Sequence, residues 1–428
     1  MTNLTGWGRY PVIDSTIYNI EKHTLLDSNP IGIARGLGRS YGDSSLSKSV
    51  IQTKRLSRFI NFDSSTGVLR CESGVSIDDI LQVFVPLGWF PYVTPGTKYV
   101  TVGGAIASDV HGKNHHKEGS FCDYVKSLTV LMNGELIICS PEVNTQLFKA
   151  TCGGMGLTGV IIEATIILRR IESSYIDQKI VKAANLGEAL ALFEKYNDFT
   201  YSVAWIDCLS TGDKLGRSLV MLGEHSVGNQ LNTHKEPKLT IPFEMPSQVL
   251  NQYSIQAFNA LYYNRLLKKE TNNTVGYDSF FYPLDSVNNW NLMYGSKGFT
   301  QYQFVIPKES GIDALKEILS VIAESKQGSF LAVLKVFREG NGNYLSFPIE
   351  GYTLALDFKI TDSLFTLLKI LDQLVIKYSG RLYLSKDVRM DDEMFKSTYE
   401  NWEDMAYIRE QYNLEDVYSS LQSKRIGL

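Results

Sequence analysis

The sequence of 428 residues predicts an α+β protein, and its length suggests two or three domains at roughly 150 residues per domain. In residues 1–170, three glycine clusters join short apolar or alternating runs typical of strands to a predicted helix. In residues 171–380 glycines are fewer, aromatic residues are more frequent, and strands alternate with helices. Strands with helices between them indicate a sheet covered on one face.

The individual elements are predicted from local patterns. Ser76 is predicted to cap a helix over 76–84, with Asp79 at its third position. Strands are predicted over 67–71, 127–132, 135–139, 160–168, 299–306 and 353–358. Further helices are predicted over 187–196, 311–324, 362–378 and from Asp391 onward. Weak periodicity over 225–275 predicts a partly mobile segment.

Composition excludes several classes of protein. Hydrophobic residues make up 44% and charged residues 21%, which is typical of a folded globular protein, and the net charge of −4 argues against a general nucleic-acid binder. No run of about 18 apolar residues and no basic-then-apolar start occur, so we expect a cytoplasmic protein or one peripheral at the membrane. The five Cys residues form no CxxC and are predicted to be reduced and mostly buried.

Residues 154–159 spell a literal GxGxxG. A dinucleotide-binding fingerprint must follow a strand and open a helix, with an acidic residue about 20 positions later. Here the motif precedes Val160–Leu168, an apolar and β-branched run that indicates a strand. We therefore reject an NAD site at this motif.

The cluster over 94–116 is the most informative of the three. Thr101 is a candidate cap for a helix of small residues, which would offer free amides and a positive dipole end to an anion. Three of the six His residues follow at 111, 115 and 116. They could bind zinc, hydrogen-bond to the backbone, or line a ligand site, and we favour the last because no ligand-spaced Cys or carboxylate follows.

These motifs resemble a known family. Gly36-Leu-Gly-Arg-Ser-Tyr-Gly42, Thr101-Val-Gly-Gly-Ala-Ile-Ala107, His111-Gly-Lys-Asn-His-His116 and Gly156-Leu-Thr-Gly-Val-Ile161 resemble the FAD-binding domain of the vanillyl-alcohol-oxidase superfamily. Within it, the chain is most similar to the decaprenylphosphoryl-β-D-ribose 2-oxidases, the flavin subunits of an arabinose-forming epimerase. The His111–His116 block is specific, whereas scattered glycines are not.

The resemblance implies a two-lobed fold with an FAD-binding domain over 1–172, an antiparallel-sheet substrate domain over 173–380, and a segment over 381–428 that returns to the first domain. It also implies the reaction: FAD-dependent oxidation of the 2′-hydroxyl of a polyprenyl-phosphoryl pentose, with hydride transfer to flavin N5, as the first half of an epimerisation. The implied partners are a lipid-linked sugar and an NAD(P)H-dependent ketoreductase. No metal is expected.

The resemblance also assigns residues to the cofactor. Those implied to cradle the pyrophosphate are Arg35, Gly36, Leu37, Gly38, Arg39, Ser40 and Tyr41, followed by Gly96, Thr101, Val102, Gly103 and Gly104. Those implied to run along the flavin and the nucleotide are Ser108, Asp109, His111, Gly112, Asn114, Gly156, Ile161 and Tyr383.

Two departures from the family pattern carry predictions. Many members attach FAD covalently through a His in the first glycine-rich loop, where this chain has Tyr41, so we predict a non-covalent flavin. Mycobacterial members carry a Cys in the substrate-domain strand where this chain has Ala355. We therefore predict that thiol-directed covalent inhibitors fail.

Two lysines are candidates for the chemistry. Oxidation of a secondary alcohol needs a base, and a buried Lys of lowered pKa can supply one. Lys335 and Lys386 follow apolar runs, although for a lone Lys the wet face of a strand is the more common location. The resemblance implies that both lie at the flavin and substrate beside His111 and Lys113. We hypothesise that Lys386 hydrogen-bonds the reacting hydroxyl and that Lys335 binds an anionic group or assists.

The walls of the substrate site are expected to be apolar, and the candidates are Trp205, Phe281, Tyr282, Val333, Phe337 and Ala355, each of which could equally be core. The run over 258–269 is amphipathic and basic at one end, so it could contact a membrane surface or simply pack. Two alternative functions stay open: an aldonolactone- or alditol-type oxidase acting on a free sugar, and a flavin-binding module without catalysis.

Overall fold

The computed structural model describes residues 1–21, 31–228, 230–237, 239–246 and 248–428. Its strands are β1 Thr2–Thr5, β2 Val12–Asn19, β3 Ile33–Arg35, β4 Ser49–Gln52, β5 Phe59–Asp63, β6 Val68–Glu72, β7 Trp89–Pro91, β8 Val125–Met132, β9 Glu135–Cys139, β10 Val160–Arg170, β11 Tyr175–Ala183, β12 Tyr201–Ile206, β13 Ser218–His225, β14 Leu239–Thr240, β15 Glu270–Gly276, β16 Val287–Asn288, β17 Phe299–Pro307, β18 Ala332–Phe337, β19 Gly351–Lys359 and β20 Arg381–Leu382. Its α-helices are α1 Ile77–Phe84, α2 Val102–Ala107, α3 His115–Glu118, α4 Thr145–Thr151, α5 Leu186–Lys195, α6 Gln252–Asn264, α7 Tyr277–Phe281, α8 Gly311–Ser325, α9 Leu364–Lys377, α10 Asp392–Thr398, α11 Trp402–Gln411 and α12 Leu421–Ile426.

The predicted elements are confirmed to within a few residues, and the α+β class is confirmed. Helix α1 begins with the predicted cap: the Ser76 hydroxyl accepts from the amide of Asp79, whose carboxylate accepts from the amide of Ser76. Strand β10 directly follows the GxGxxG, as expected for a motif that is not a dinucleotide fingerprint. The 225–275 segment, whose residues 229, 238 and 247 lie outside the described residues, contains α6, and its predicted mobility stays a prediction.

Two sheets form the N-terminal part of the molecule. The first has the strand order β1-β2-β4-β3, in which β1 and β2 are antiparallel and the other neighbours are parallel. The second has the order β5-β6-β10-β8-β9, and β7 also pairs with β10. The long strand β10 therefore holds this sheet together, because it pairs antiparallel with three different strands.

An eight-stranded antiparallel sheet forms the middle of the chain, in the order β15-β11-β13-β12-β18-β19-β17-β20. Side chains alternate between its two faces with the period of two that a strand requires. On β17, the Tyr302 hydroxyl donates to Asp372 of α9 at 3.0 Å on the helix-covered face. Its neighbours Gln301 and Gln303 point to the opposite face, which borders a cleft. Helices α8 and α9 thus cover one face of this part of the sheet, as predicted, and the opposite face of β17 borders the cleft.

The segment from Arg381 onward contacts both parts. Strand β20 pairs with β17 at the edge of the large sheet. A few residues later, the Ser385 carbonyl accepts from the amide of Tyr41 at 3.0 Å. Further along, Arg425 forms salt bridges with Asp43 at 2.7 Å and with Asp387 at 2.9 Å. The segment therefore holds the first glycine loop against the large sheet.

The five cysteines are free and buried, which agrees with the prediction of unpaired, mostly buried thiols. Burial raises the pKa of the Cys208 thiol to about 12, so it is unreactive as a nucleophile near neutral pH. In the part of the chain that the structure describes, no helix is long and apolar enough to span a bilayer.

Candidate active site

A cleft separates the glycine loops of the N-terminal part from one face of the strands β17, β18 and β19 of the large sheet. It encloses about 1750 Å³ of space free of protein atoms, part of it open to solvent. One wall comes from the loop over 34–41, the turn at 95–97 and helix α2, and the other from strands β17, β18 and β19. The residues Tyr383, Ser385 and Lys386 lie at the join between the two walls.

The loop over 36–40 has the features of an anion cradle. Within the described residues, none of its five amides donates to a protein acceptor. Arg35 directly precedes the loop and Arg39 belongs to it, and no described carboxylate forms a salt bridge with either. The Arg39 guanidinium lies 4.0 Å from the centre of the Trp7 ring, which fixes it at the cleft edge. Successive free amides beside two guanidinium groups favour a phosphate or pyrophosphate ligand.

The amide groups at the start of helix α2 are not available to a ligand. Thr101 is its cap, because its hydroxyl accepts from the amide of Gly104 at 3.1 Å. The amide of Val102 donates to the Val75 carbonyl and that of Gly103 to the Ser73 carbonyl. The prediction that this helix offers free amides to an anion is therefore wrong: neighbouring backbone and the cap already satisfy them, and the helix only lines the cleft.

The sheet wall of the cleft carries Lys335 on β18 between Val333 and Phe337. Val333 and Lys335 line the cleft, whereas Phe337, further along the same strand face, is buried against the rings of His111 and His115. Burial lowers the pKa of Lys335 to about 8, and no described carboxylate forms a salt bridge with it. Ala355 on the neighbouring strand β19 pairs with Val333 and also lines the cleft. The wall thus offers one ammonium group in an otherwise apolar strand environment.

Lys386 lies at the join of the walls, with its ammonium group 3.8 Å from the centre of the Tyr41 ring. Burial lowers the pKa of Lys386, and the nearby positive charge of Lys335 lowers it further, while the Asp357 carboxylate acts in the opposite direction. Asp357 is buried and accepts a hydrogen bond from Gln301, and burial raises its pKa. A lysine of lowered pKa that faces a cleft is a candidate acid–base group.

His111 borders the same space and is held in its neutral form. Burial lowers its pKa well below the ordinary value, and the positive charges of Lys335 and Lys386 lower it further. The Gln303 amide lies 2.9 Å from Nε2 of His111, and Phe337 packs on its ring with centroids 4.8 Å apart. A neutral imidazole can donate a hydrogen bond from one ring nitrogen while the other accepts.

Most of the residues predicted at the site lie on the cleft. These are Arg35, Gly36, Leu37, Gly38, Arg39, Ser40, Tyr41, Gly96, Thr101, Gly103, Gly104, Ser108, His111, Gly156, Ile161, Val333, Lys335, Ala355, Tyr383 and Lys386. Those that do not line it are Val102, Asp109, Gly112, Lys113, Asn114, Trp205, Phe281, Tyr282 and Phe337.

The polar residues that miss the cleft have structural partners instead. The Asp109 carboxylate accepts from the Cys122 amide and the Ser346 hydroxyl, so it ties the loop after α2 to the 341–346 loop. Asn114 donates to the Tyr92 carbonyl, and a side chain at Gly112 would lie 2.9 Å from the Thr94 carbonyl oxygen. Burial lowers the pKa of Lys113 to about 7, and its ammonium group donates to the Phe280 carbonyl.

The predicted aromatic walls are corrected to core. Trp205 packs on Tyr262 of α6, with ring centroids 4.7 Å apart, and donates to the Phe330 carbonyl. Phe281 packs between Phe90 and Tyr201, and the Tyr282 hydroxyl lies 2.6 Å from that of Thr94. Phe281 and Tyr282 thus pack against the N-terminal part, whereas Trp205 packs between the large sheet and α6, and all three rings are buried.

Several cleft residues escaped the sequence prediction. They include Trp7, Ser73, Leu284, Trp290, Gln301 and Gln303. The two glutamines had a detectable signal, because polar residues two apart in Phe299–Ile306 occupy one face of an otherwise apolar strand. The others come from loops or short turns, where no periodicity indicates which way a side chain points.

Within the described residues, no three His, Cys, Asp or Glu side chains converge on a point that could hold a metal ion. His115 packs against Phe337 with ring centroids 4.4 Å apart, and His116 Nε2 lies 2.9 Å from the Phe199 carbonyl oxygen. The three His of the 111–116 block thus have different surroundings, and only His111 reaches the cleft.

Comparison with known proteins agrees with this geometry. Residues 30–140 match the model of a family described as an FAD binding domain. The decaprenylphosphoryl-beta-D-ribose oxidase of Mycolicibacterium smegmatis is 36% identical over 99% of this chain and 97% of its own length. The chain belongs to the decaprenylphosphoryl-β-D-ribose oxidase family. It is an FAD-dependent oxidoreductase, and its cofactor is FAD.

More distant relatives match smaller parts of the chain. A Streptomyces coelicolor protein known as the uncharacterized protein in the mprA 5′ region is 27% identical over 83% of the chain and 100% of its own length. The D-arabinono-1,4-lactone oxidase of Yarrowia lipolytica is 28% identical over 30% of the chain and 26% of its own length. Similarity to the lactone oxidase is therefore limited to part of the chain.

The cleft of this oxidase family member fits FAD. Besides the free amides of residues 36–40, two buried polar atoms on cleft residues, Ser73 Oγ and His111 Nδ1, have no hydrogen-bond partner in the described structure. A diphosphate can take the amides and the charges of Arg35 and Arg39, and a polar ring system can take the orphaned atoms. Tyr383, whose hydroxyl donates to the Ser108 carbonyl at 2.8 Å, supplies an aromatic surface beside them.

Proposed function

We propose that this enzyme oxidises the 2′-hydroxyl of a polyprenyl-phosphoryl pentose similar to decaprenylphosphoryl-ribose, giving the 2′-keto sugar. The observation that carries the proposal is the pair of buried lysines of lowered pKa, Lys335 on the sheet wall of the cleft and Lys386 at the join of the two walls. The relative named for this substrate covers nearly the whole chain, which supports the same reading.

Lys386 is proposed to take the hydroxyl proton. Its burial favours the neutral amine, which can accept a proton near neutral pH, and the Tyr41 ring keeps the amine at the cleft. Bound FAD supplies the matching chemistry by accepting the hydride equivalent that leaves the carbinol carbon. The loss of one proton and one hydride converts the secondary alcohol to a ketone.

Lys335 is proposed to bind the anionic phosphate of the substrate. No described carboxylate forms a salt bridge with it, so a charged group from a ligand would supply its counter-ion. A bound anion would also stabilise the charged ammonium form against the cost of burial. A free neutral sugar cannot offer this, and for that reason the charged, lipid-linked substrate is favoured over an aldonolactone or alditol.

We propose further that this oxidation is the first half of an epimerisation. Reduction of the ketone from the opposite face inverts the configuration of the carbon and requires a hydride donor. We therefore expect a separate NAD(P)H-dependent ketoreductase as the partner, because the only GxGxxG of the sequence precedes strand β10.

The test is anaerobic bleaching of the bound flavin. A short-chain, water-soluble polyprenyl-phosphoryl ribose is expected to bleach it, whereas free ribose, alditols and aldonolactones at the same concentration are not. The Lys335→Met variant should need a higher concentration of the phosphorylated substrate. Bleaching by the neutral sugars at an equal or greater rate would contradict the proposal.

A further inference from the structure

Helix α6 and the residues that follow it leave large apolar side chains in solvent. Tyr253 is 78% exposed, Leu261 is 74% exposed, and Leu267 is 98% exposed. Tyr253 and Leu261 are eight positions apart and thus lie on one face of the helix. The opposite face is anchored, since Ile255 is buried and the fully buried Asn259 donates to Asp207 at 2.8 Å.

The C-terminal end of α6 and the turn after it carry positive charge. Arg265 is the C-terminal cap residue of α6, twelve positions after Tyr253, and Lys268 follows three residues later. Neither cation forms a salt bridge with a described carboxylate, and Arg265 only stacks on Tyr262. We call Tyr253, Leu261, Arg265, Leu267 and Lys268 the α6 face. Exposed apolar groups bordered by free cations have the composition of a helix that lies in the interface of an anionic membrane.

An apolar path connects this helix to the cleft. Phe258 of α6 packs edge-on against Phe330 with ring centroids 5.6 Å apart. Phe330 stacks on Tyr294 at 5.7 Å, and Tyr294 packs on Trp290 at 6.4 Å. Trp290 lines the cleft. This row of packed rings places helix α6 beside the wall of the cleft.

We propose that the α6 face docks the enzyme on the surface of an anionic phospholipid bilayer. This inference rests on the proposed function, because a polyprenyl-linked sugar resides in a bilayer and the enzyme must reach it there. The apolar side chains would enter the acyl boundary and the two cations would contact lipid phosphates. Lipid phosphate is preferred over a protein partner because the exposed apolar groups of α6 and of the turn after it are bordered by two cations that form no salt bridge with a described carboxylate.

The experiment measures cosedimentation of the full-length protein with vesicles. Binding is expected to vesicles of equal parts phosphatidylglycerol and phosphatidylcholine, and to be much weaker with phosphatidylcholine alone. The Arg265→Gln/Lys268→Gln protein should bind the anionic vesicles about thirtyfold more weakly, at about a factor of five for each cation. The Leu261→Ser/Leu267→Ser protein should lose at least tenfold.

Matched controls change the same residue types elsewhere on the surface. Lys316→Gln/Lys369→Gln removes two exposed cations of α8 and α9, and Ile138→Ser removes an apolar side chain that is 60% exposed on β9. These proteins should bind vesicles as the parent does. Equal binding by the α6-face variants, or a dimer that Leu261→Ser/Leu267→Ser dissociates in the absence of lipid, would overturn the proposal.

Vesicle binding is measured without turnover, so it is separable from the proposed reaction. The α6-face variants should still show flavin bleaching with the short-chain, water-soluble substrate at the parental rate. A protein that binds vesicles but is not bleached retains the docking proposal and refutes the substrate. A protein that is bleached but does not bind anionic vesicles retains the proposed substrate and refutes the docking proposal.

Discussion

The ammonium group of Lys386 lies 3.8 Å above the centre of the Tyr41 ring, and this contact joins the two halves of the active site. Tyr41 ends the glycine loop of the FAD-binding part, whereas Lys386 follows the last strand of the large sheet. Tyr41 is held in place through its amide, which donates to the Ser385 carbonyl one residue before Lys386. The glycine loop and the candidate base Lys386 therefore hold each other in position.

Replacing Lys386 by methionine is expected to slow flavin reduction by the substrate about 10²- to 10⁴-fold, the usual contribution of a general base. Methionine keeps most of the apolar packing on Tyr41, so the amount of bound FAD should be unchanged. Anaerobic stopped-flow measurement of flavin bleaching gives the rate constant. Lys369→Met on the exposed surface of α9 is the matched control, and an unchanged rate in Lys386→Met would disprove the role of this lysine.

The pH dependence of flavin reduction should report the environment of Lys386. Only its neutral form accepts a proton, so the rate should rise with pH through a pKa well below the ordinary lysine value of about 10.4. The Asp357 carboxylate raises the pKa of Lys386, while burial and Lys335 lower it; His111 and Tyr41 complete its titratable surroundings.

Asp357→Asn removes the opposing negative charge. The ammonium form of Lys386 loses a stabilising partner, and the rising limb should therefore move to lower pH by about one unit. The measurement is the rate constant of bleaching across the pH range in which both proteins keep their FAD. A limb that stays in place or moves to higher pH would show that Asp357 does not tune this lysine.

The flavin is expected to be bound without a covalent link. The position where the family pattern allows a flavin-attaching His is Tyr41, whose buried ring is engaged by Lys386 and packs edge-on against Phe299 with centroids 5.3 Å apart. Precipitation of the purified protein with acid should release the yellow colour into the supernatant. Colour that stays with the washed pellet would reveal an attachment elsewhere.

Thiol-directed covalent inhibitors are expected to leave this enzyme unmodified at the cleft. Ala355 lines the cleft without a thiol, and the five cysteines of the chain are buried elsewhere. Burial raises the pKa of the Cys208 thiol, for example, to about 12. Ala355→Cys should introduce one labelling site per chain, read by the mass of the intact protein. Stoichiometric labelling of the parent protein would contradict this, and labelling of Ala355→Cys should be blocked by substrate.

Local patterns were sufficient to predict α1 and the strands β8 to β10, β17 and β19, because burial on one side imposes a period that the sequence displays. Alternation places Lys335 and Val333 on one face of a strand, and the family resemblance implied that this face borders the cofactor and substrate. Helix α6 was indicated only in part, by the amphipathic run over 258–269, because its outward face also carries apolar residues such as Tyr253 and Leu261.

The aromatic walls could not be predicted for a different reason. Phe281 and Tyr282 are buried by Phe90 and Thr94, which are nearly 190 residues away in the chain. Whether such a ring faces a ligand or another lobe depends on how the lobes meet, and no local pattern encodes that. The amides of α2 were misjudged similarly, since their partners Val75 and Ser73 come from a separate turn.

Gly36 is the glycine whose close approach can be tested most directly. A Cβ there would lie 2.3 Å from the Thr101 hydroxyl, the cap of α2, and 2.9 Å from its methyl group, so the loop over 36–40 would have to move away from α2. Gly36→Ala is therefore expected to lower FAD occupancy, measured as the ratio of flavin to protein absorbance. Gly276→Ala, where a Cβ meets nothing within 4 Å, is the matched control.

The clash can also be relieved from the other side. Thr101→Gly removes the atoms that the new methyl would meet, and a glycine cap costs helix α2 only a few tenths of a kcal/mol. The Gly36→Ala/Thr101→Gly protein should thus regain much of the FAD that Gly36→Ala loses. If the double variant binds no more FAD than Gly36→Ala does, contact with the α2 cap is not the reason that position 36 requires glycine.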